Sequence, residues 1–284
     1  MSYDLIALMM FSTMMLLLLT GQRIFAVIGF VGVAASMLLW GDGSSNMAFS
    51  SAMKLMKWYP MLTLPMFVFM GYMLAESRIA DDLYRMFHVW MGPVRGGLAI
   101  GTMLMMVIIS AINGLSVAGM AVGATIALPA LLSRGYDKVM VSGVIQGGST
   151  LGILLPPSVV LVLYGMIARQ PVGNLWMAGV FPGLLMAGLF ILYIIIRCWW
   201  QPSLGPPLPK EERDQITWSE KFSLLRAGII PLAIFVSMTG LFLTGVTSLV
   251  ESSAVGALSS ILAAAIRGRL SWHVLHETTR KTLG

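Results

Sequence analysis

The residues with the clearest chemistry lie at 147–158, Gly-Gly-Ser-Thr-Leu-Gly-Ile-Leu-Leu-Pro-Pro-Ser, inside a long apolar stretch. Pro156 and Pro157 have no amide hydrogen, so the carbonyls of Gly152 and Ile153 lose their helical donors. In hydrocarbon an unpaired backbone group costs several kcal/mol, so such a break survives where it lines a polar cavity or binds something. Ser158 occupies an N-cap position ahead of a second apolar helix over 159–167. Bared carbonyls suit a cation, and bared amides at a fresh helix start suit an anion. A second break, Ser110-Ala-Ile-Asn-Gly-Leu-Ser116, interrupts another apolar stretch. If the two meet, they pool carbonyl and hydroxyl oxygens, the donor set a hard cation such as Na⁺ takes. The candidate ion ligands are the backbone near Asn113 and Gly114, Ser116, and the backbone at Gly148, Thr150, Gly152 and Ile153; the candidate substrate contacts are Ser116, Pro157 and Ser158. The bland alternative is a proline kink packed through Gly143, Gly147, Gly148 and Gly152 as small-xxx-small pairs. Gly-Gly-Ser-Thr, Pro-Pro and Ser falling together favour a site.

The rest of the polar inventory narrows the chemistry. Every Asp and Glu falls at an expected span end or in a loop, and His88, His273 and His276 all flank one side. Proton relays normally need intramembrane carboxylates or histidines, so coupling to Na⁺ is favoured over coupling to H⁺. Glu251 reads as a ligand or gate, or as the cap of a helix beginning at Ser252 or Ser253; capping is favoured. Arg169 reads as a greeting for an anion or, preferably, an interface anchor. Trp40, Trp58, Tyr59, Trp176, Trp199 and Trp200 fit aromatic belts, and Met103, Met105 and Met106 fit packing. Walker A, His-Glu-x-x-His and Gly-x-Ser-x-Gly sequences are all missing, which argues against ATP-driven transport by this chain alone, against intramembrane proteolysis, and for a protein that is not an enzyme.

The elements that must position these residues are membrane spans. Of 284 residues 57% are hydrophobic and 11% charged, against about 25% charge in soluble domains, so the fold class is an all-α polytopic membrane protein. The net charge of +6 comes from basic residues at the ends of apolar runs and does not indicate nucleic acid as a partner. Cys198 is the single cysteine, excluding an internal disulfide or cysteine-rich metal site. The N-terminus lacks a basic region and cleavage site and reads as a retained span. Apolar runs fall near 4–20, 24–40, 58–75, 98–133, 139–167, 175–197, 227–245 and 252–266. The run 98–133 crosses once, crosses twice, or enters and turns back. Placing both its ends on one side puts 15 of the 18 Lys and Arg on the cytoplasmic face, against 13 for a single crossing, so the same-side arrangement is preferred; two very short full spans stay open. Residues 76–97 read as an amphipathic helix along the cytoplasmic surface, and 201–226, Pro-rich and then charged, as a cytoplasmic linker. Leu19-Thr20-Gly21 and Leu243-Thr244-Gly245, each ahead of a Gly/Ala-rich run, suggest an internal repeat of inverted topology.

Several motifs carry a resemblance. Leu64-Pro-Met-Phe-Val-Phe-Met-Gly71, Arg95-Gly-Gly-Leu-Ala99, Arg134-Gly-Tyr-Asp-Lys138, Leu151-Gly-Ile-Leu-Leu-Pro-Pro-Ser158 with Tyr164-Gly165, and Ala178-Gly-Val-Phe-Pro-Gly183 resemble, in order and spacing, the large membrane subunit of TRAP (tripartite ATP-independent periplasmic) transporters. The resemblance implies an elevator-type, Na⁺-coupled importer of small organic anions in the bacterial cytoplasmic (inner) membrane. It further implies a small four-helix membrane subunit and a periplasmic substrate-binding protein as partners, beside the lipid bilayer. One Na⁺ would be held by hydroxyls and carbonyls at the hairpin tip and broken span, which map onto Asn113, Gly114, Ser116 and 148–157. Leu115 departs from the family tip, commonly Gly-Ser-Ser, and removes one hydroxyl. About seven spans, one re-entrant hairpin and a broken helix are expected. The implied division is 1–97 (scaffold spans and surface helix), 98–200 (first transport-domain half), 201–226 (linker) and 227–284 (start of a second inverted repeat). The resemblance covers about two-thirds of a usual large subunit, so the fold is expected to be C-terminally incomplete: a truncated product or part of a split permease. The competing expectation is a non-transporting scaffold that binds the small subunit.

Overall fold

The computed structural model describes residues 3–114, 116–209 and 217–283, and these are helical with no strand. The chain divides into two units, Met1–Met61 and Leu62–Gly284. That division falls inside the block 1–97 expected to hold the scaffold spans and the surface helix.

The first unit holds α1 (Tyr3–Leu19), α2 (Ile24–Trp40) and α3 (Ser44–Met56). No residue of α1 is buried and only Val27 and Val31 are in α2, so both present apolar faces outward, as lipid-facing helices do. The second unit runs α4 (Thr63–Glu76), α5 (Ile79–Met91), α6 (Gly97–Asn113), α7 (Ser116–Val122), a π turn over Gly123–Ala127, α8 (Leu128–Ser133), α9 (Lys138–Thr150), α10 (Val159–Ala168), α11 (Val172–Trp200), α12 (Trp218–Leu243), α13 (Leu249–Ile266) and α14 (Trp272–Leu283). Three helices are by themselves long and apolar enough to cross a membrane among the described residues: α11, α12 over Lys221–Leu243, and α13. The expected count of about seven is not reached by single full-length helices: α1 and α2 stop at 17 residues, the lower limit of about 17 for a span, and the runs 98–133 and 139–167 are broken at Gly114 and at Pro156-Pro157.

At the centre of the second unit, α6 is apolar on most of its surface, as a largely enclosed helix must be. Leu98, Met103, Met105, Met106 and Ile112 are each no more than 2% exposed, so the methionines do serve as packing. Around α6 lie α5, α9, α11 and α7, and a second cluster joins α4, α10, α12 and Trp176. The helix at 79–91 exists and is amphipathic, but its apolar face (Ile79, Leu83, Met86, Val89) is covered by α6 and α12 instead of being left for lipid.

The linker also differs from expectation. Residues 202–209 form a strap whose Leu208 is buried. Leu208 N–H donates to the Gly92 carbonyl at 3.0 Å, and the Gly205 and Leu204 carbonyls accept from the N–H groups of Gly96 (2.9 Å) and Asp137 (3.1 Å). Prolines leave this strap few donors of its own; Leu208 N–H is given to the end of α5, and the ties to the starts of α6 and α9 are made by strap carbonyls that accept. The charged part, 210–216, lies outside the described residues.

The Leu-Thr-Gly repeat extends further than its letters. Helix α1 ends at Leu19 before Gly21 (φ 78°), and α12 ends at Leu243 before Gly245 (φ 74°). The following helices α2 and α13 close with Gly41 and Gly268, both at φ 65°, and each leads into an amphipathic helix, α3 or α14.

Candidate functional site

The two sequence breaks meet. Helix α6 ends at Asn113 because Gly114 adopts a left-handed conformation (φ 62°) and returns its N–H to the Ser110 carbonyl at 2.9 Å. The chain then reverses: Ser110 lies against Gly119, and Met106 against Gly123. Both pairs are equidistant from the 114–115 turn, so α6 and α7 with the following π turn form an antiparallel hairpin tipped at Gly114. Leu115 lies outside the described residues.

The second break starts where α9 tightens. Leu154 and Leu155 N–H both donate to the Leu151 carbonyl (3.1 and 3.0 Å), closing a 3-10 turn over Leu151–Ile153. With no amide hydrogen at 156 or 157 the helix cannot continue. Ser158 restarts it: its backbone is extended (φ −100°, ψ 121°) and its hydroxyl accepts from Leu161 N–H at 3.2 Å. That same hydroxyl donates to the Ile153 carbonyl at 2.5 Å. Ile153 is therefore not bared, as the sequence suggests; one residue caps the new helix and satisfies the old one.

Contact between the breaks is direct. The Gly114 carbonyl accepts from Val159 N–H at 3.2 Å, tying the hairpin tip to the first residue of α10. A Cβ at Gly114 would collide with the Pro157 carbonyl oxygen, so glycine is required for approach as well as for backbone sign. Helices α6 and α9 run parallel beneath this junction, Met106 beside Gly148 and Ser110 beside Gly152. A Cβ on Gly152 would lie 2.7 Å from the Ser110 carbonyl oxygen.

The nominated residues consequently separate into groups. Gly114 and Gly152 lie together against the last turn of α6, and Asn113 closes that helix. Ser116 begins α7 half-buried, and Pro157 faces Gly114. Gly148 is occupied by packing against Met106. Thr150 is exposed and its hydroxyl returns to the Gly147 carbonyl at 2.7 Å, which leaves only its backbone as a candidate ligand. Ser158 is fully buried, with its hydroxyl engaged at both ends. Among the described residues no hydrogen bond reaches the Gly152 carbonyl, whereas those of Gly114 and Ile153 each accept one. Of the α10 amides expected to greet an anion, Val159 and Leu161 are already donating inside the protein.

Two residues that hold this junction escape a sequence reading. Trp176 is completely buried rather than part of an aromatic belt; its indole N–H donates to the Ser158 carbonyl at 3.3 Å, and its ring meets Phe242 edge-on at 4.8 Å. A buried indole needs an acceptor, and it shares the Ser158 carbonyl with Val162 N–H at 3.1 Å. Gly179 lets α11 pass directly over the Leu154 carbonyl. Of the peripheral candidates, Glu251 serves as a cap: it and Ser248 form a reciprocal capping box (2.7 and 3.3 Å) on a helix that starts at Leu249, earlier than Ser252. Arg169 closes α10 in a left-handed conformation (φ 53°).

Comparison with known proteins gives the same direction. A family model described as "Tripartite ATP-independent periplasmic transporter, DctM component" matches residues 11–283. The C4-dicarboxylate TRAP transporter large permease protein DctM of Pseudomonas aeruginosa is 31% identical over 72% of this chain and 47% of its own length. The ectoine TRAP transporter large permease protein TeaC of Halomonas elongata is 26% identical over 89% of the chain and 58% of its own. For the 2,3-diketo-L-gulonate TRAP transporter large permease protein YiaN of Escherichia coli the values are 26%, 79% and 52%. The chain spans about half the length of the curated relatives it matches. With its helix breaks joined and its motif glycines seated against them, this chain belongs to the DctM family of tripartite ATP-independent periplasmic transporter large permeases.

Proposed function

We propose that this chain works as part of a Na⁺-coupled importer of small organic anions, as the large permease subunit of a TRAP transporter in the bacterial inner membrane. The observation that carries the reading is the hydrogen bond from Val159 N–H to the Gly114 carbonyl, which joins a hairpin tip to a broken helix. Irregular backbone brought together inside apolar helices is where transporters bind ions and substrate. Na⁺ would draw on the Gly114 and Gly152 carbonyls and the Ser116 hydroxyl; the anion would meet the junction at Ser116 and Pro157. A small membrane subunit and a periplasmic binding protein would complete the system, as the tripartite, periplasmic character of the family and the large-permease role of the relatives imply. Movement would be of elevator type, the hairpin and α9–α11 travelling together.

The test is Na⁺-driven uptake in liposomes with small subunit and binding protein added. Gly114→Val, Gly152→Leu and Ser116→Ala are each expected to cut Na⁺-dependent uptake by about tenfold or more, since about 1.4 kcal/mol lost at one ligand is tenfold in affinity. Unchanged Na⁺ dependence in all three sinks the ion site. A second reading, a scaffold that binds the small subunit without transporting, is favoured by the internal use of the Ile153 carbonyl and Ser158 hydroxyl. Binding of the small subunit with no uptake at any Na⁺ gradient would select it.

A further inference from the structure

Away from the hairpin tip, a groove of about 580 Å³ opens between α9 and α11. Its floor and walls are apolar, formed by Met103, Met140, Gly143, Phe190 and Ile194. Gly143 faces open space, with no atom within 4 Å of where its Cβ would be. Two opposite charges, Asp137 at the start of α9 and Arg197 near the end of α11, line the same groove. They form no ion pair with each other. One carboxylate oxygen of Asp137 accepts from Met140 N–H at 2.9 Å, and the other is left over. The Arg197 side chain makes no hydrogen bond or ion pair among the described residues and is exposed.

The position of the charged end matters. Helix α11 has 29 residues, about 44 Å at 1.5 Å per residue, well beyond the roughly 30 Å of a hydrocarbon core. The excess suits headgroup level at its last turns, where Arg197, Trp199 and Trp200 fall. Tyr193, Trp199 and Trp200, 63%, 70% and 69% exposed, surround Arg197 there in the manner of an interfacial belt. From Arg197 to Phe190, and from Asp137 to Val144, the groove descends about 10 Å along each helix. That depth takes a glycerol backbone and the upper part of one acyl chain.

We infer that this groove binds one membrane glycerophospholipid with a zwitterionic, amine-bearing headgroup, its phosphate on Arg197, its ammonium on Asp137 and an acyl chain between α9 and α11. A basic residue beside an apolar inter-helical groove recognises lipid phosphate. The unpaired carboxylate beside it selects for an amine and against a purely anionic headgroup. The site is separate from the ion junction and does not depend on the transport reading.

Native mass spectrometry of the purified 284-residue chain, equilibrated with equal phosphatidylethanolamine and phosphatidylglycerol and then partly delipidated, tests it. One retained phosphatidylethanolamine is expected, about fivefold over phosphatidylglycerol, since one charge contact near a lipid surface is worth about 1 kcal/mol. Arg197→Gln and Gly143→Trp should each cut retention by about fivefold. Asp137→Asn keeps the N-cap of α9 and should bring the two lipids to parity. Helical circular dichroism checks each variant for folding. Retention unchanged in both Arg197→Gln and Gly143→Trp overturns the site, as does wild-type preference for phosphatidylglycerol. Loss of the lipid on co-expression of a further membrane segment from a relative would assign the groove to protein and also overturn it.

Discussion

At the residue scale, Ser158 is the hinge pin of the break. Its hydroxyl accepts from the restarted helix and donates to the interrupted one, so one oxygen resolves both helix ends that Pro156 and Pro157 disrupt. Loss of an N-cap alone costs about 1 kcal/mol, and an unmade hydrogen bond to a buried carbonyl adds about 1–3 kcal/mol. Ser158→Ala is therefore expected to destabilise the protein by roughly 2–4 kcal/mol, with Ser158→Thr recovering most of it. Thermal unfolding in detergent, followed by tryptophan fluorescence, reads this well because Trp176 donates to the Ser158 carbonyl. A melting temperature unaltered by Ser158→Ala would show that the cap is dispensable.

At the scale of elements, the hairpin is held at its tip by Gly114–Val159 and at its base by the strap over 202–209. Leu208 is the strap's buried anchor, against Gly92. Leu208→Asp is expected to release the strap and raise amide exchange over 92–98 by about tenfold or more, corresponding to at least about 1.4 kcal/mol of lost protection. The tip, with its own bond, should be much less affected. Equal exchange at base and tip in this variant would mean the strap does not anchor the base. The contrast between tip and strap also marks how much of the fold can be read from sequence. Helix stops at Gly114 and at Pro156-Pro157, and the restart at Ser158, follow from chemistry within a few residues, and they are visible in the letters. The burial of Trp176 and Leu208 depends on partners 18 and 116 residues away in the chain, and nothing local distinguishes either from a belt tryptophan or a linker leucine. Thr150 stands among the candidates for its backbone, because a helix break is legible in the letters; which face of α9 meets α6 is set by the packing of Gly148 on Met106 and Gly152 on Ser110, and that is not.

At the scale of the whole molecule, the turn after α13 is bound to the junction of α4 and α5. Arg269 grips Asp82 with both nitrogens (2.8 and 3.1 Å) and donates to the carbonyls of Ser77 and Arg78 (3.2 and 2.9 Å), while Arg267 lies 3.6 Å from the same carboxylate. Lys281 of α14 meets Glu76 at 2.5 Å. The Asp82 pair is partly exposed, which weakens it, but it carries two backbone acceptors as well. Arg269→Ala should cost about 1–3 kcal/mol, the range for hydrogen bonds involving a charged group, and Arg269→Lys should not restore it, since a single ammonium cannot reproduce the fork. A double-mutant cycle with Asp82→Ala, read by thermal unfolding, is expected to give a coupling above about 0.5 kcal/mol; zero coupling would reduce the clamp to a surface contact. The strap over 202–209 has one more consequence, for biosynthesis. The hairpin base at Gly92 and Gly96 receives its partners from Leu208 and Gly205, roughly 110 residues later in the chain. At about 5–20 residues per second, translation leaves an interval of about 5–20 s in which the hairpin has been made and its fastening has not. During that time the base of α6 must be sheltered by the insertion machinery or by neighbouring helices, so the order of synthesis, as well as the final contacts, governs whether the hairpin seats correctly.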